Sequence, residues 1–204
     1  MARILEINPR HPQPRKVAQV VKALEDGAVV AYPTDTSYGL GCDVLNLKAL
    51  RRLHEIKRRP TTALFSFICP DLKEISHYAT VSNYAYKTLR RLLPGPYTFI
   101  LPASRQVPKI MLSRRKTVGI RIPDHPVPVA IARALGRPLV NATATDPEGN
   151  LLLTPQEINQ ALGGAVEIIV DGGPVPGVSS SVVSLVADTP EVLREGAGDV
   201  GEFL

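Results

Sequence analysis

Residues 28–42 read AVVAYPTDTSYGLGC. The first five residues are apolar and rich in β-branched side chains, which is typical of a buried β-strand. Residues 33–39 then combine proline and glycine with several hydroxyl side chains around one carboxylate, Asp35, and this composition predicts a loop at the end of the strand. Small hydroxyl residues are common in plain turns, but a loop with so many of them directly after an apolar strand favours a site for a polar ligand.

Helix and strand patterns alternate on both sides of this unit. The apolar spacing and the cap residues predict helices over 14–26, 47–56, 82–93, 127–135 and 155–162. Strands are predicted over 4–7, 28–32, 64–69, 97–101, 117–122, 138–140, 166–171, 182–186 and 192–194. The mixed order, with three strands near the end, predicts an α/β (α+β) fold: one twisted mixed β-sheet flanked by helices, in a single domain over residues 1–204.

Composition narrows the function classes. The chain has 204 residues and a formal net charge of +5, which favours an anionic partner such as a nucleotide or RNA. Its two cysteines show no CxxC spacing, so we expect reduced thiols and a cytoplasmic protein. The sequence has no apolar run of membrane-spanning length and its four histidines are scattered, so we expect neither a membrane partner nor a tightly bound metal.

The usual nucleotide and hydrolase motifs are absent from the sequence: we find no Walker loop, no GxGxxG after a strand and no GxSxG. Cationic residues remain as candidates. Lys57 and Arg59 follow the end of a predicted helix, where they can grip phosphate or carboxylate oxygens or simply compensate the helix dipole. Arg121 ends an apolar strand and needs an anionic partner there. Hydroxyl residues, Thr143, Thr145 and 179–181, occupy two further loops next to strands, where backbone N–H groups can approach an anion.

Taken together, the collinear motifs of this chain resemble those of the YrdC/YciO family, whose best-known members are threonylcarbamoyl-AMP synthases on the path to threonylcarbamoyladenosine in tRNA. The resemblance covers most of the chain, from Val17 to about Gly196. The motifs are Tyr32–Leu40 (YPTDTSYGL), Lys57–Pro60 (KRRP), Pro94–Thr98 (PGPYT), Val118–Pro126 (VGIRIPDHP), Asp171–Gly173 (DGG) and Ser180–Val182 (SSV).

The resemblance implies a basic concave surface and a nucleotidyltransferase reaction. L-threonine, bicarbonate and ATP, with Mg²⁺ accompanying the ATP, would give threonylcarbamoyl-AMP and pyrophosphate. Such a reaction asks mainly for positioning and for cations near the phosphates. The implied catalytic residues are Lys57, Arg59 and Thr34. The residues implied for threonine or carboxylate binding are Thr34, Thr36, Tyr38, Arg121 and Ser181. The residues implied for nucleotide binding are Lys57, Arg59, Thr143, Thr145, Ser180 and Arg194.

Two departures from the family pattern fall on the nucleotide side of the implied site. The family's Ser-Ala-Asn signature corresponds to Thr143-Ala144-Thr145, and a lysine usual after KxR corresponds to Ala63. These departures place the chain nearer the YciO branch. They leave open a second hypothesis, a protein that binds tRNA, rRNA or other double-stranded RNA through phosphate contacts without catalysis, and a third, a structural or regulatory role.

Overall fold

The structure is a computed structural model that describes residues 1–58, 65–111, 116–187 and 189–204. The strands are β1 (Arg3–Glu6), β2 (Val30–Tyr32), β3 (Gly39–Asp43), β4 (Ser66–Ile68), β5 (Tyr97–Pro102), β6 (Thr117–Arg121), β7 (Leu139–Thr143), β8 (Ile168–Asp171), β9 (Ser181–Ser184) and β10 (Glu191–Arg194). The helices are α1 (Pro14–Glu25), α2 (Leu47–Ile56), α3 (Leu72–Tyr78), α4 (Asn83–Leu92), α5 (Pro126–Leu135) and α6 (Pro155–Leu162), with short 3₁₀ helices at Lys109–Met111 and Gly201–Phe203.

The ten strands of the described residues form one sheet in the order β1-β8-β2-β3-β7-β4-β6-β5-β9-β10. Four neighbouring pairs are parallel (β1 with β8, β2 with β8, β4 with β6, β5 with β9), and the other five are antiparallel. The predicted mixed sheet flanked by helices is therefore confirmed. None of the helices in the described ranges combines the length and apolar character needed to span a bilayer.

Helix ends follow the cap residues of the sequence. The Asn46 side chain accepts a hydrogen bond from the backbone N–H of Ala49 at 3.0 Å, and Thr154 and Glu157 form a reciprocal capping box at the start of α6. Gly136 ends α5 in the left-handed region, with φ of +70°, where glycine carries no Cβ penalty. These local side-chain contacts explain why helix boundaries are readable from sequence.

Strand β3 and helix α3 are absent from the sequence-based prediction, and β7 runs three residues further than predicted. In β3 the glycines suggest a loop, but they face the ring of Tyr32. A Cβ on Gly39 would lie 2.9 Å from Tyr32 Cε2, and a Cβ on Gly41 would lie 2.8 Å from Cε1. Close packing within the sheet therefore requires glycine at both positions. Strand β3 pairs with β2 on one side and with β7 on the other.

The two faces of the sheet are covered differently. One face packs against α2, α3, α4 and α6 in the larger apolar cluster. On the other face α1 and α5 cover β1, β2 and β8, and this second cluster reaches only as far as Ile68 and Leu139. Beyond those two residues the same face of the neighbouring strands carries mostly small and polar side chains, together with Ile100 and Val182. The uncovered part of this face is where the candidate site lies.

Candidate functional site

A cavity of about 410 Å³ occupies the uncovered part of the sheet face. That volume falls within the usual range for small-molecule sites. Three of the described residues that line the cavity are cationic, and none of them carries a carboxylate. The full set of described lining residues is Lys57, Phe65, Ser66, Thr98, Ile100, Gly119, Arg121, Asn141, Ala142, Thr143, Thr145, Gly149, Leu151, Ser179, Ser180, Val182 and Arg194.

The floor of the cavity is one row of residues across four adjacent strands. Asn141 pairs with Ser66, Ser66 with Gly119, and Gly119 with Ile100. A Cβ placed on Gly119 would lie 3.3 Å from Ile100 Cδ1 and 3.4 Å from Ser66 Cβ. The missing side chain at Gly119 therefore keeps the floor open between a polar half and an apolar half.

Arg121 lies two residues after Gly119, at the end of β6, and is only 4% exposed. Its Nη2 donates to Thr36 Oγ1 at 2.7 Å and to Asp35 Oδ1 at 2.5 Å. Thr34 Oγ1 lies 3.4 Å from the same nitrogen. The predicted need of Arg121 for a buried anionic partner is thus met by Asp35, and the hydroxyl loop after β2 folds onto the arginine.

Two threonines of the loop hold its shape. The Thr34 hydroxyl donates to the carbonyl of Ser37 at 2.6 Å and accepts the backbone N–H of Thr36 at 3.2 Å. Both threonines are buried. In this structure Thr34 and Thr36 therefore position the loop and Arg121, and neither is among the residues that line the cavity.

Lys57 also lines the cavity and lies directly after α2. Its Nζ donates to the carbonyl of Thr143 at 2.8 Å and to the hydroxyl of Thr145. Three residues predicted to contact nucleotide, Lys57, Thr143 and Thr145, thus come together. Arg59 and Ala63 lie outside the described residues.

Arg194 reaches the cavity from the edge strand β10. Its Nε and Nη2 donate to the carbonyl of Ser180 at 3.0 and 2.8 Å. The Ser180 hydroxyl in turn lies 3.0 Å from Thr98 Oγ1. The predicted residues Ser180 and Arg194 therefore line the same cavity as Lys57 and Arg121.

The cationic residues reach the cavity from three different elements. Arg121 ends β6, Lys57 directly follows α2, and Arg194 ends β10. The cavity therefore suits a ligand that carries more than one anionic group.

Two predicted substrate-binding residues, Tyr38 and Ser181, are not on the cavity wall. The Tyr38 hydroxyl donates to the carbonyl of Gly173 at 3.0 Å, and burial raises its pKa to about 12. The Ser181 hydroxyl donates to the carbonyl of Gly198 at 2.6 Å and accepts the N–H of Gly196 at 2.9 Å. Both side chains lie on the face of the larger apolar cluster and tie loops to the sheet.

Several lining residues, among them Ser66, Thr98 and Asn141, have no assigned role in the sequence-based prediction. Ser66 and Thr98 are polar residues within otherwise apolar predicted strands. Such a residue points to one face only. A polar position inside a strand that otherwise reads as buried is the signal that indicates them.

His125 caps the N-terminus of α5 beside the hydroxyl loop. Its Nδ1 accepts the backbone N–H of Val127 at 3.2 Å. Burial lowers its pKa from the usual 6.5, while the charges of Asp35 and Asp124 act in the opposite direction. Because the folded state resists protonation, His125 has no effect on stability well above pH 6.5 and destabilises the fold once the unfolded histidine takes up a proton.

We expect His125→Asn to reduce the loss of stability on acidification from pH 7.5 to 5.5. Asparagine can still accept the N–H of Val127 as a cap, but it does not titrate in this range. Urea unfolding of both proteins at the two pH values measures the difference. An identical pH dependence of the wild type and the variant would show that other groups cause the loss.

Comparisons with known proteins show the family to which this chain is similar. The sequence profile of the Sua5/YciO/YrdC family, described as telomere recombination, matches residues 22–196. The uncharacterized protein YciO of Escherichia coli is 37% identical over 206 residues, which cover all of both chains. Its crystal structure superimposes with a TM-score of 0.95 over the full length of both.

One other relative carries a functional name, and another is known with a bound ligand. The threonylcarbamoyl-AMP synthase of Vibrio vulnificus is 35% identical over 157 residues, which cover 76% of this chain and 84% of that protein. The structure of P. abyssi Sua5 complexed with L-threonine is 28% identical, with a TM-score of 0.90 over 98% of this chain and 59% of that one.

Proposed function

This chain belongs to the Sua5/YciO/YrdC family, and from that membership we propose that it is a threonylcarbamoyl-AMP synthase-like enzyme that uses the cavity described above. In the proposed reaction the amine of L-threonine and bicarbonate give a carbamate with loss of water. A carbamate oxygen then attacks the α-phosphorus of ATP, and the bond to the β-phosphate breaks. The products are threonylcarbamoyl-AMP and pyrophosphate.

One observation carries this proposal: three cationic residues line one cavity, and no carboxylate occurs among the described residues that line it. Arg121 would meet the carboxylate of threonine, and Lys57 and Arg194 would meet the phosphates of ATP. A site of this kind lowers the barrier by holding two anionic reactants together and stabilising the charge that develops on the phosphates.

Magnesium would enter as part of the MgATP substrate. No aspartate or glutamate occurs among the described residues that line the cavity, and hard cations such as Mg²⁺ prefer carboxylate and phosphate oxygens. The phosphates of ATP are therefore the ligands that would hold it.

The test is a reaction of the purified full chain with ATP, MgCl₂, bicarbonate and labelled L-threonine. We expect pyrophosphate and threonylcarbamoyl-AMP in equal amounts, no product when any substrate is omitted, and at least a tenfold lower rate for Lys57→Ala. Serine in place of threonine is a useful specificity control.

Absence of both products with folded protein would overturn the synthase proposal. The RNA-binding hypothesis would replace it if the same protein bound a tRNA or an RNA duplex with an affinity that falls steeply with salt. Binding of L-threonine by calorimetry separates the two outcomes, since an RNA-binding protein that lacks the catalytic site has no reason to bind the amino acid.

A further inference from the structure

A chain of hydrogen bonds runs from the core of the sheet to the floor of the cavity. It starts at Tyr32, which is fully buried. The Tyr32 hydroxyl donates to Asn141 Oδ1 at 2.8 Å, and Asn141 Nδ2 donates to Ser66 Oγ at 3.2 Å. The chain thus ends on a hydroxyl that lines the cavity.

The direction of donation along this series of hydrogen bonds is fixed at its buried end. Burial raises the pKa of Tyr32 well above its usual value, so the phenol keeps its proton. Within the described part of the molecule, Asn141 is the hydrogen-bond partner of that phenol, and a buried O–H left without an acceptor is costly. The amide oxygen must therefore face Tyr32, and the amide nitrogen must face Ser66.

Ser66 then accepts at one lone pair and has its own proton to give. The acceptor offered by the sheet is the carbonyl of Asn141 at 3.4 Å, which is at the long limit for an O–H donor. A side chain at position 119 would touch Ser66, because a Cβ there would lie 3.4 Å from Ser66 Cβ. Since residue 119 is a glycine, it leaves the hydroxyl uncovered. The proton is thus available to a ligand that lies on the floor.

We propose that Ser66 is a specificity-determining hydrogen-bond donor, held in that role by Asn141 and Tyr32, and that it selects a ligand with a phosphate or carboxylate oxygen at the centre of the cavity. Each hydrogen bond in the series from Tyr32 to Ser66 donates in the direction of the cavity, so each one polarises the next. A ligand oxygen there would accept the proton of Ser66, whereas a ligand N–H or ammonium group could donate to Ser66 only if that proton turned back to the distant carbonyl of Asn141. The proposal deepens the proposed function but requires only anion binding, not turnover.

The experiment is a double-mutant cycle on the affinity for inorganic pyrophosphate, measured by calorimetry. Loss of one hydrogen bond corresponds to a change of roughly three- to tenfold. We expect Ser66→Ala and Tyr32→Phe each to weaken binding by that factor, although Tyr32 does not reach the cavity. The double variant should bind no more weakly than Ser66→Ala, because Tyr32 acts only through Ser66.

Tyr97→Phe is the matched control. It removes a largely buried phenol whose hydroxyl donates to the carbonyl of Asp199 at 3.0 Å, away from the cavity, so its pyrophosphate affinity should match the wild type. Ser66→Thr keeps the hydroxyl and should bind pyrophosphate as the wild type does. This variant tests the role of the hydroxyl even if Tyr32→Phe folds poorly. Additive losses in the double variant, an equal loss in Tyr97→Phe, or no binding by the wild type would each overturn the proposal.

Discussion

Replacing Asp35 by alanine is expected to lower the free energy of unfolding by about 3–5 kcal/mol. The side chains of Arg121 and Asp35 are only 5% and 11% exposed, and their Nη2 and Oδ1 atoms are 2.5 Å apart. Without Asp35 the guanidinium stays buried beside two neutral hydroxyls, which do not compensate its charge. Urea unfolding at pH 7.5 measures the effect.

An exposed ion pair supplies the control for this variant. Lys22 and Asp26 also form an ion pair, but their side chains are 75% and 63% exposed, so Asp26→Ala should change the free energy of unfolding by less than about 1 kcal/mol. A combined Asp35→Ala and Arg121→Met variant should regain part of the lost stability, because it removes the stranded charge. Equal effects of Asp35→Ala and Asp26→Ala would contradict the view that the buried pair stabilises the loop.

Gly119→Val is expected to weaken the binding of pyrophosphate and of ATP by at least tenfold while the fold is kept. The new Cβ would stand about as far from Ile100 and Ser66 as a tight van der Waals contact allows, and the two methyl groups beyond it would project into the cavity. Valine is otherwise favoured in strands. Calorimetry gives the affinities, and thermal unfolding shows whether the fold survives.

Gly164→Ala is the matched glycine control, because a Cβ there would meet nothing within 4 Å. Its affinities for both ligands should equal those of the wild type. Unchanged binding by Gly119→Val would mean that the ligand lies on another part of the wall, nearer to Arg194 than to the floor.

Local signals in the sequence predict most of the helices and strands. Asn46, Ser82 and the capping box at Thr154 start helices as predicted, because a cap acts within one turn of chain. Strand β3 is different. Its glycines read as a loop, and the close approach of Tyr32 and of strand β7 explains why they belong in a strand.

The candidate site depends on contacts that local signals cannot provide. Arg121 and Thr36 are 85 residues apart in the chain, yet they form one buried cluster. The resemblance to a family gives Lys57, Arg121, Thr143, Thr145, Ser180 and Arg194, all of which line the cavity. It does not give Asn141 or Ser66, because the segment around Asn141 reads as a polar loop until its pairing with β4 is known.

The position of β8 between β1 and β2 has a consequence for how the protein is made. The backbone N–H of Val29 bonds to the carboxylate of Glu167, 138 residues later in the chain, and β2 then pairs with β8. During synthesis from the N-terminus, one edge of β2 therefore stays unpaired until most of the polypeptide has left the ribosome. Pairings between such distant segments slow folding and leave a strand edge open to other chains in the meantime.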